Sequence, residues 1–486
     1  MLKSVNKGQT GAITNSKSPA LSPSARWALA SLSLSMLLSS LGTSIANVAL
    51  PTLAQVFGAS FQQLQWLVLA YLLVITSLIV SVGRLGDIVG RRCLLLAGIF
   101  IFTMASVLCG IAPTLWLLIA ARAVQGLGAA IMMALTVAFV AETVPKAQTG
   151  SAMGLLGTMS AVGTALGPSL GGVLIAWLGW RAIFLVKLPL GLLTFALAWR
   201  YLPPDRQEPA AGTTRFDHWG TLLLALTLVA YALAVTLRQK DGFGLINMTL
   251  LIAAVIGVGL FVILEKKAAS PLIRLAMFDD RALSASFAMS VLVSTVMMAT
   301  LVIGPFYLSG ALGLDAARLG LVLSVGPLAA ALAGVPAGRL VDRFGAQRMT
   351  LCGLTGMAAG CFLLSALPAT LGIAGYVAPL LVLTVFYALF MTANNTAVML
   401  DVKPDQRGVI SGILNLSRNL GLMTGASVMG AVFAFASAAS DINTAGPEAV
   451  GTGMRLSFAL AVVLLVVALA IAALAGRSKR GTSQNQ

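Results

Sequence analysis

The chain alternates long apolar stretches with short polar segments. Each stretch approaches or exceeds about 20 residues, the length that an α-helix needs to cross the hydrocarbon of a bilayer. We count fourteen such stretches, so the pattern predicts an all-α polytopic membrane protein. The predicted spans are 27–50, 64–82, 93–112, 115–139, 151–176, 182–201, 219–237, 246–264, 283–308, 318–338, 350–368, 375–400, 410–436 and 455–475.

Composition supports a membrane protein and argues against other classes. The chain is 58% hydrophobic and 9% charged, whereas soluble proteins carry roughly 25% charged residues. Its four cysteines form no CxxC pair, and it has one histidine. We therefore expect no metal site, no cofactor and no enzymatic centre. The chain also lacks a GxxxxGK[ST] nucleotide-binding loop, and no basic, aromatic-interleaved region suggests nucleic-acid binding.

The distribution of basic residues predicts the orientation. An even number of spans places both termini on one side of the membrane. Only five of the 31 Lys and Arg residues fall on the opposite side, and three lie within spans; most of the remainder occupy loops on the side of the termini. Because cytoplasmic loops are enriched in Lys and Arg, both termini are expected in the cytoplasm. The five are Arg181, Arg238, Lys240, Arg318 and Arg455.

A short charged turn occurs twice. Gly83–Arg92 reads GRLGDIVGRR after the second span, and Gly338–Arg348 reads GRLVDRFGAQR after the tenth. Such a repeat predicts two similar halves. We divide the chain into a disordered cytoplasmic tail, a six-helix bundle, a linker with two inserted helices, a second six-helix bundle and another tail. The boundaries are 1–26, 27–201, 202–281, 282–476 and 477–486.

Three further motifs lie within the first half. The first span ends with Asn47–Pro51, the fourth carries Arg122–Ala130 (RAVQGLGAA), and the fifth carries Gly163–Gly172 (GTALGPSLGG). With the Gly83–Arg92 turn, they resemble motifs of the major facilitator superfamily, and within it of the fourteen-span drug:proton antiporters. The resemblance extends over residues 27–476.

The resemblance implies a fold and a function. It implies two six-helix bundles around a central cavity that opens alternately to the two sides of a bacterial inner membrane. The expected partners are the bilayer, a small-molecule substrate and protons, with multidrug efflux as the activity. A dedicated exporter or importer of one neutral or anionic metabolite or antibiotic is the alternative. A monomer is compatible with the sequence.

The repeated turns are candidates for a cytoplasmic latch between the halves. Their charges would hold the halves together in one state and release them in the other, and Asp87 would cap a helix or pair with a neighbouring arginine. The alternative is a sound turn that only anchors the topology. The latch candidates are Gly83, Arg84, Asp87, Gly90, Arg91, Arg92, Gly338, Asp342 and Arg343.

Two intramembrane motifs have candidate roles in coupling and sealing. Arg122 is a coupling candidate because a charge within a span is energetically costly, and Gln125 shares its helical face. Glu142, near the cytoplasmic end of the fourth span, is a further coupling candidate. Arg122 would alternatively be a structural donor to backbone carbonyls. The glycines of the fifth span repeat every four residues and predict close helix packing. This packing would either seal the helix pair against leak or be ordinary contact between small residues. The residues are Gly163, Gly167, Pro168, Gly171 and Gly172.

Polar residues within the spans are candidates for the cavity wall. Asn415, Arg418, Asn419 and Leu422 share one helical face. These side chains would line the cavity or hydrogen-bond between helices. The full set of cavity candidates is Asn47, Tyr71, Lys187, Asn394, Asn395, Asn415, Arg418 and Asn419.

The chain departs from the implied pattern at two positions. Gly42 stands where many of these antiporters have an Asp, and Lys187 stands where Asn is usual. The charges within the spans, on Arg122, Lys187 and Arg418, are then all positive. We therefore expect a neutral or anionic substrate rather than a polycation, unless Lys187 only extends to the interface. The proton carrier is left open among Asp87, Glu142, Arg122 and Lys187.

Overall fold

The computed structural model describes residues 22–143, 149–205, 217–237, 244–268, 278–400, 407–437 and 446–483, and within them the regular structure is helical, with no strand. The short helix Ala369–Leu371 is of the 3₁₀ type, and Gly425–Met429 is a π-helical turn. The α-helices are α1 Pro23–Val48, α2 Leu50–Phe57, α3 Phe61–Val89, α4 Arg91–Ile111, α5 Leu115–Thr143, α6 Thr149–Leu178, α7 Ala182–Leu185, α8 Lys187–Tyr201, α9 His218–Thr236, α10 Leu245–Lys267, α11 Arg281–Gly310, α12 Ala316–Phe344, α13 Ala346–Ala366, α14 Gly372–Leu400, α15 Arg407–Thr424, α16 Gly430–Ala436 and α17 Pro447–Ser483.

The helices agree with the predicted all-α membrane protein. Thirteen of the described helices are long and apolar enough to cross a membrane, and His218–Ala234 is a shorter apolar helix at the predicted seventh span. The first helix begins at Pro23, four residues before the predicted span, because the Ser22 hydroxyl accepts a hydrogen bond from the Ala25 amide. Serine before proline is a favoured helix start.

Three predicted spans are interrupted. The first divides at Ala49 into α1 and α2, and Pro51 lies in the first turn of α2. The sixth divides at Val186 into α7 and α8, with Pro189 in the first turn of α8. Proline lacks the amide hydrogen that a continuous helix would use, but the first turn tolerates it. The thirteenth contains the π-helical turn between α15 and α16.

Glycines bring the helices of each half close together. In the first half α6 packs against α1, and a Cβ on Gly163 would meet the carbonyl oxygen of Leu37. In the second half α15 packs against α11, and Cβ atoms on Gly421 and Gly425 would meet carbonyl oxygens of that helix. Small residues at such contacts let helix backbones approach in a bilayer.

The two halves meet at one end of the molecule, which we name the closed end. The rings of Phe61, Phe306 and Phe433 cluster there, with centroids of Phe61 and Phe306 4.8 Å apart. Gln65 of α3 donates a 2.7 Å hydrogen bond from Nε2 to the carbonyl oxygen of Ala426. At the opposite end, which we name the motif end, lie the turns around Gly90 and Gly345.

Candidate functional site

A cavity of about 440 Å³ lies between the halves. On α6 it is lined from Gly157 to Thr164, before the close contact at Gly172; on α12 it is lined from Leu323 to Gly334, after Gly320. The cavity therefore lies on the motif-end side of the contacts that join the halves. Its polar lining residues are Ser40, Thr43, Ser44, Ser160, Thr164, Thr300, Tyr376, Thr384, Tyr387, Thr392, Asn415, Arg418 and Asn419.

Helix α15 supplies the only charged side chain among these described lining residues. Asn415, Arg418 and Asn419 follow the spacing of one helical face, and all three line the cavity. Thr295 of α11 donates a 3.1 Å hydrogen bond from Oγ1 to the carbonyl oxygen of Gly421. Gly421 lies three residues after Arg418, so the close contact between α15 and α11 borders the polar face that lines the cavity.

Tyr376 of α14 lies nearer the closed end of the same cavity. The side chain is 1% exposed, and its ring stacks on Tyr307 at 5.9 Å between centroids. Its hydroxyl occupies the place that a Cβ on Gly304 would need. Within the described residues this hydroxyl has no hydrogen-bond partner. Sequence reasoning did not select Tyr376, because an aromatic residue in an apolar span carries no signal of its own.

Arg122 lies in the interior of the first half and is fully buried. Its Nη1 donates hydrogen bonds to the Gly42 carbonyl oxygen at 3.0 Å and to Gln125 Oε1 at 2.6 Å, and its Nε donates to the Leu67 carbonyl oxygen at 3.2 Å. The guanidinium carbon lies 4.1 Å from the ring centroid of Tyr71, a favourable cation–π geometry.

The network continues from Arg122 to a fourth helix. Gln125 Nε2 donates to Ser106 Oγ at 2.6 Å, and Ser106 donates to the Phe102 carbonyl oxygen at 2.7 Å. Tyr71 donates from its hydroxyl to the Ser39 carbonyl oxygen at 3.0 Å. The Arg122 side chain thereby connects α5 with α1, α3 and α4. It does not line the cavity.

Lys187 is also fully buried in the first half. Its Nζ lies 5.2 Å from the ring centroid of Phe184 and 5.9 Å from that of Phe102. Among the described residues Nζ has no hydrogen-bond acceptor. The alternative that this side chain extends to the membrane interface is therefore wrong, because packed aromatic rings enclose it. It is absent from the cavity lining as well.

The remaining cavity candidates lie elsewhere. Asn47 is buried and donates to the Thr43 carbonyl oxygen at 3.3 Å, and Tyr71 belongs to the Arg122 network. Asn394 donates to Ser290 Oγ at 3.0 Å and lines a separate pocket between helices of the second half, while Asn395 is exposed. Asn47 thus bonds within α1, Tyr71 and Asn394 bond to neighbouring helices, and the described cavity lining includes none of these four residues.

The glycine stripe of α6 contacts two partners. Gly163, Gly167 and Gly171 face α1, whereas Gly172 faces α12. A Cβ on Gly172 would meet the Ala316 carbonyl oxygen, and one on Gly320 would meet the carbonyl oxygen of Pro168. The stripe therefore packs within its own half and also joins the two halves at the closed end.

At the motif end, a residue outside the repeated turn caps a helix. Asp205 accepts hydrogen bonds from the amides of Arg92 at 2.7 Å and Cys93 at 3.1 Å, in the first turn of α4. Gly90 precedes them at φ 103°, and a Cβ there would collide with the Asp205 carboxylate. Arg92 lies over the Trp199 ring at 5.9 Å. Nothing in the linker sequence distinguishes Asp205 as a cap.

The structure describes only some of the other latch and coupling candidates. The side chains of Arg84, Asp87 and Glu142 lie outside the described part of the chain. In the second copy Asp342 and Arg343 are exposed, and Gly338 has open space where its Cβ would be. Within the described residues, no group of three His, Cys, Asp or Glu side chains could hold a metal ion.

Comparisons with known proteins show which family this chain resembles. The family profile described as Major Facilitator Superfamily matches residues 32–426 and 283–486. Multidrug resistance protein Stp of Mycobacterium tuberculosis (strain CDC 1551 / Oshkosh) is 33% identical over 80% of this chain and 72% of its own length. Riboflavin transporter RibZ of Clostridioides difficile (strain 630) is 31% identical over 82% of this chain and 86% of its own.

The fold is also similar to a solved structure. A bacterial homologue of the human lysosomal transporter Spinster, in an inward-facing and unoccupied conformation, superimposes with a TM-score of 0.68. The match covers 94% of this chain and 98% of that one, at 16% identity. At this identity the likeness concerns the fold alone.

Proposed function

Because the chain belongs to the major facilitator superfamily of membrane transporters, we propose that it exports amphipathic small molecules in exchange for protons. Its place would be the bacterial inner membrane, as a fourteen-span antiporter with both termini in the cytoplasm. The superfamily resemblance is confirmed; the subfamily, the span count, the orientation and the coupling ion belong to this proposal. The name of Stp as a multidrug resistance protein supports export.

The observation that carries the proposal is the cavity between the halves. It is closed at one end by the Phe61 cluster and by the contact of Gly172 with α12. Its wall combines four methionines, Met133, Met297, Met298 and Met391, with the hydroxyls and amides already named. Methionine side chains adapt to ligands of different shape, which suits a transporter of amphipathic compounds.

Proton coupling is assigned to the first half. Arg122 and Gln125 hydrogen-bond to three other helices of that half, so a rearrangement of any of them changes the network. The repeated segments Gly83–Arg92 and Gly338–Arg348 are helical except at Gly90 and Gly345, where the chain turns. They would form the latch at the motif end, with Asp87 and Glu142 as candidate proton carriers. Gly172 and its neighbours would seal the closed end.

The second candidate is a dedicated transporter of one neutral or anionic metabolite or antibiotic. The described cavity wall contains no carboxylate to neutralise a cation and contains one arginine. The relative RibZ bears the name of a riboflavin transporter, so a similar sequence is associated with a single substrate. Both candidates use the same cavity and differ in how many compounds it accepts.

Inverted membrane vesicles with an imposed inside-acid gradient test the proposal. Cationic, neutral and anionic compounds are added while dissipation of the pH gradient is followed. Proton antiport predicts dissipation by particular compounds and its loss in Arg122→Ala. Arg318→Ala is the matched control, since Arg318 is exposed and paired with Asp315 at 3.4 Å. Labelled uptake without dissipation would exclude proton coupling, and dissipation by one compound only would favour the dedicated transporter.

Reporter fusions at both termini test the orientation separately. Alkaline phosphatase is active outside the cytoplasm and green fluorescent protein inside it. Fusions after Gln486 and at Met1 should both fluoresce, and neither should show phosphatase activity. A phosphatase signal at one terminus would exclude an even number of spans.

A further inference from the structure

The cavity wall presents hydrogen-bond donors whose partners are missing from the described residues. Asn419 is 7% exposed and its Nδ2 has no acceptor; Tyr376 is 1% exposed and its hydroxyl has no partner. Both belong to the lining of the cavity that Arg418 also lines; Asn419 is its neighbour in sequence, and Tyr376 lies nearer the closed end. Buried polar groups are nearly always hydrogen-bonded, and unpaired ones at a binding site indicate where a ligand supplies the partner.

Arg418 adds a charge that no described lining residue neutralises. The described part of the cavity wall includes no Asp or Glu, and no described carboxylate forms a salt bridge with this guanidinium. Arginine presents a planar fork of N–H donors that matches the two oxygens of a carboxylate. Lysine at this position would be a point charge without that geometry.

The surroundings also fix where this guanidinium lies. Arg418 is adjacent in sequence to Asn419 and one turn from Asn415, all on the cavity face of α15. Gly421, three residues after Arg418, and Gly425 of the π-helical turn, seven residues after it, hold the neighbouring side of this segment close to α11, where any Cβ would meet backbone carbonyl oxygens. Arg122 and Lys187, the other intramembrane cations, are absent from the cavity wall, so they do not set the charge that a ligand meets.

We propose that Arg418 and Asn419 form a carboxylate-binding subsite, and that the exported substrate is an amphipathic organic anion. The guanidinium binds the carboxylate, and the Asn419 amide donates to one of its oxygens. Tyr376, nearer the closed end, donates to a second acceptor on the substrate body, which packs on the methionines. This inference rests on the proposed function, because it assigns the substrate class of the same cavity.

Matched ligands test the subsite without requiring transport. Purified full-length protein is titrated with 7-methoxycoumarin-3-carboxylate, with its neutral carboxamide, and with the cationic 2-(trimethylammonio)ethyl amide, and binding is read from coumarin fluorescence. The carboxylate should bind at least tenfold more tightly than the carboxamide, with the cation weakest. Equal binding of the three probes, tighter binding of the cation, or no binding of the carboxylate would overturn the subsite.

Variants of Arg418 then test whether the preference for the carboxylate probe depends on this side chain. Arg418→Gln should abolish the carboxylate preference and leave carboxamide binding unchanged, and Arg418→Lys should restore only part of it. Arg318→Gln, the same change at an exposed arginine outside the cavity, should behave as the parent. An Arg418→Gln protein that keeps the preference overturns the assignment, as does one that keeps its thermal unfolding temperature yet weakens all three probes equally.

The two proposals fail differently. If the vesicles show no proton exchange but the carboxylate preference depends on Arg418, proton coupling is wrong and the subsite stands. If protons are exchanged for cationic compounds and the carboxylate does not bind, antiport stands and the subsite is wrong.

Discussion

The guanidinium of Arg122 on α5 donates a 3.0 Å hydrogen bond to the carbonyl oxygen of Gly42 on α1. Gly42 is the position at which the antiporter resemblance leads one to expect an aspartate. The backbone of α1 therefore supplies an acceptor next to the place where a carboxylate would stand. Tyr71 covers the guanidinium at 4.1 Å, which partly compensates the buried charge.

Replacing Arg122 by alanine should uncouple the transporter. The change leaves Gln125 Oε1 without its donor, and a buried unsatisfied polar group costs about 1–3 kcal/mol. We expect gradient-driven flux to fall at least tenfold, measured as uptake of a transported compound into inverted vesicles. Arg122→Lys keeps a positive charge but cannot donate to Gly42, Leu67 and Gln125 together, so its flux should stay low. Flux at the level of the Arg318→Ala control would show that the network is only structural packing.

Gly42 should tolerate no side chain unless Tyr71 is shortened. A Cβ at Gly42 would lie 2.9 Å from the Tyr71 hydroxyl and 3.1 Å from the Phe102 ring. Overpacking of this kind costs about 1–3 kcal/mol, so Gly42→Ala should lower the thermal unfolding temperature. Combining it with Tyr71→Phe should recover part of the loss. The control is Gly259→Ala in α10, where nothing lies within 4 Å, and equal unfolding temperatures for both alanine variants would contradict the prediction.

Helix positions and the polar face of α15 followed from the sequence, because hydrophobic length and helical spacing are local properties. The placement of Lys187 and of Asp205 did not. Lys187 of α8 is enclosed by Phe184 of α7 and by Phe102 of α4, and Asp205 reaches the start of α4 from more than a hundred residues away. Both depend on how helices pack across the bundle, which no periodicity in a single span encodes.

Asp205 should stabilise the start of α4. It accepts from two backbone amides in the first turn, and losing such a cap typically costs about 0.5–2 kcal/mol. Asp205→Ala should therefore lower the thermal unfolding temperature and speed hydrogen exchange at the amides of Arg92 and Cys93, whereas Asp205→Asn should keep most of the protection. Unchanged hydrogen exchange in the alanine variant would show that Asp205 does not stabilise the first turn of α4.

The closed end should open when the contact between Gly172 and Gly320 is widened. A Cβ on Gly320 would overlap the Pro168 carbonyl oxygen and lie 2.9 Å from the Cα of Gly172. Gly320→Ala should therefore shift the population toward the state that is open at this end. Gly259→Ala in α10 is the control, since it has open space and belongs neither to the latch nor to the cavity wall.

The shift is measured by labelling a single cysteine in the cavity. Thr43→Cys is introduced into a background without the four native cysteines, and whole cells are treated with a membrane-impermeant maleimide. With the closed end facing outward, as the proposed orientation requires, Gly320→Ala should label several-fold faster than the parent or Gly259→Ala. Equal rates would mean that the α6–α12 contact does not limit opening. Faster labelling only in inverted vesicles would instead reverse the orientation, because the widened end would then face the cytoplasm.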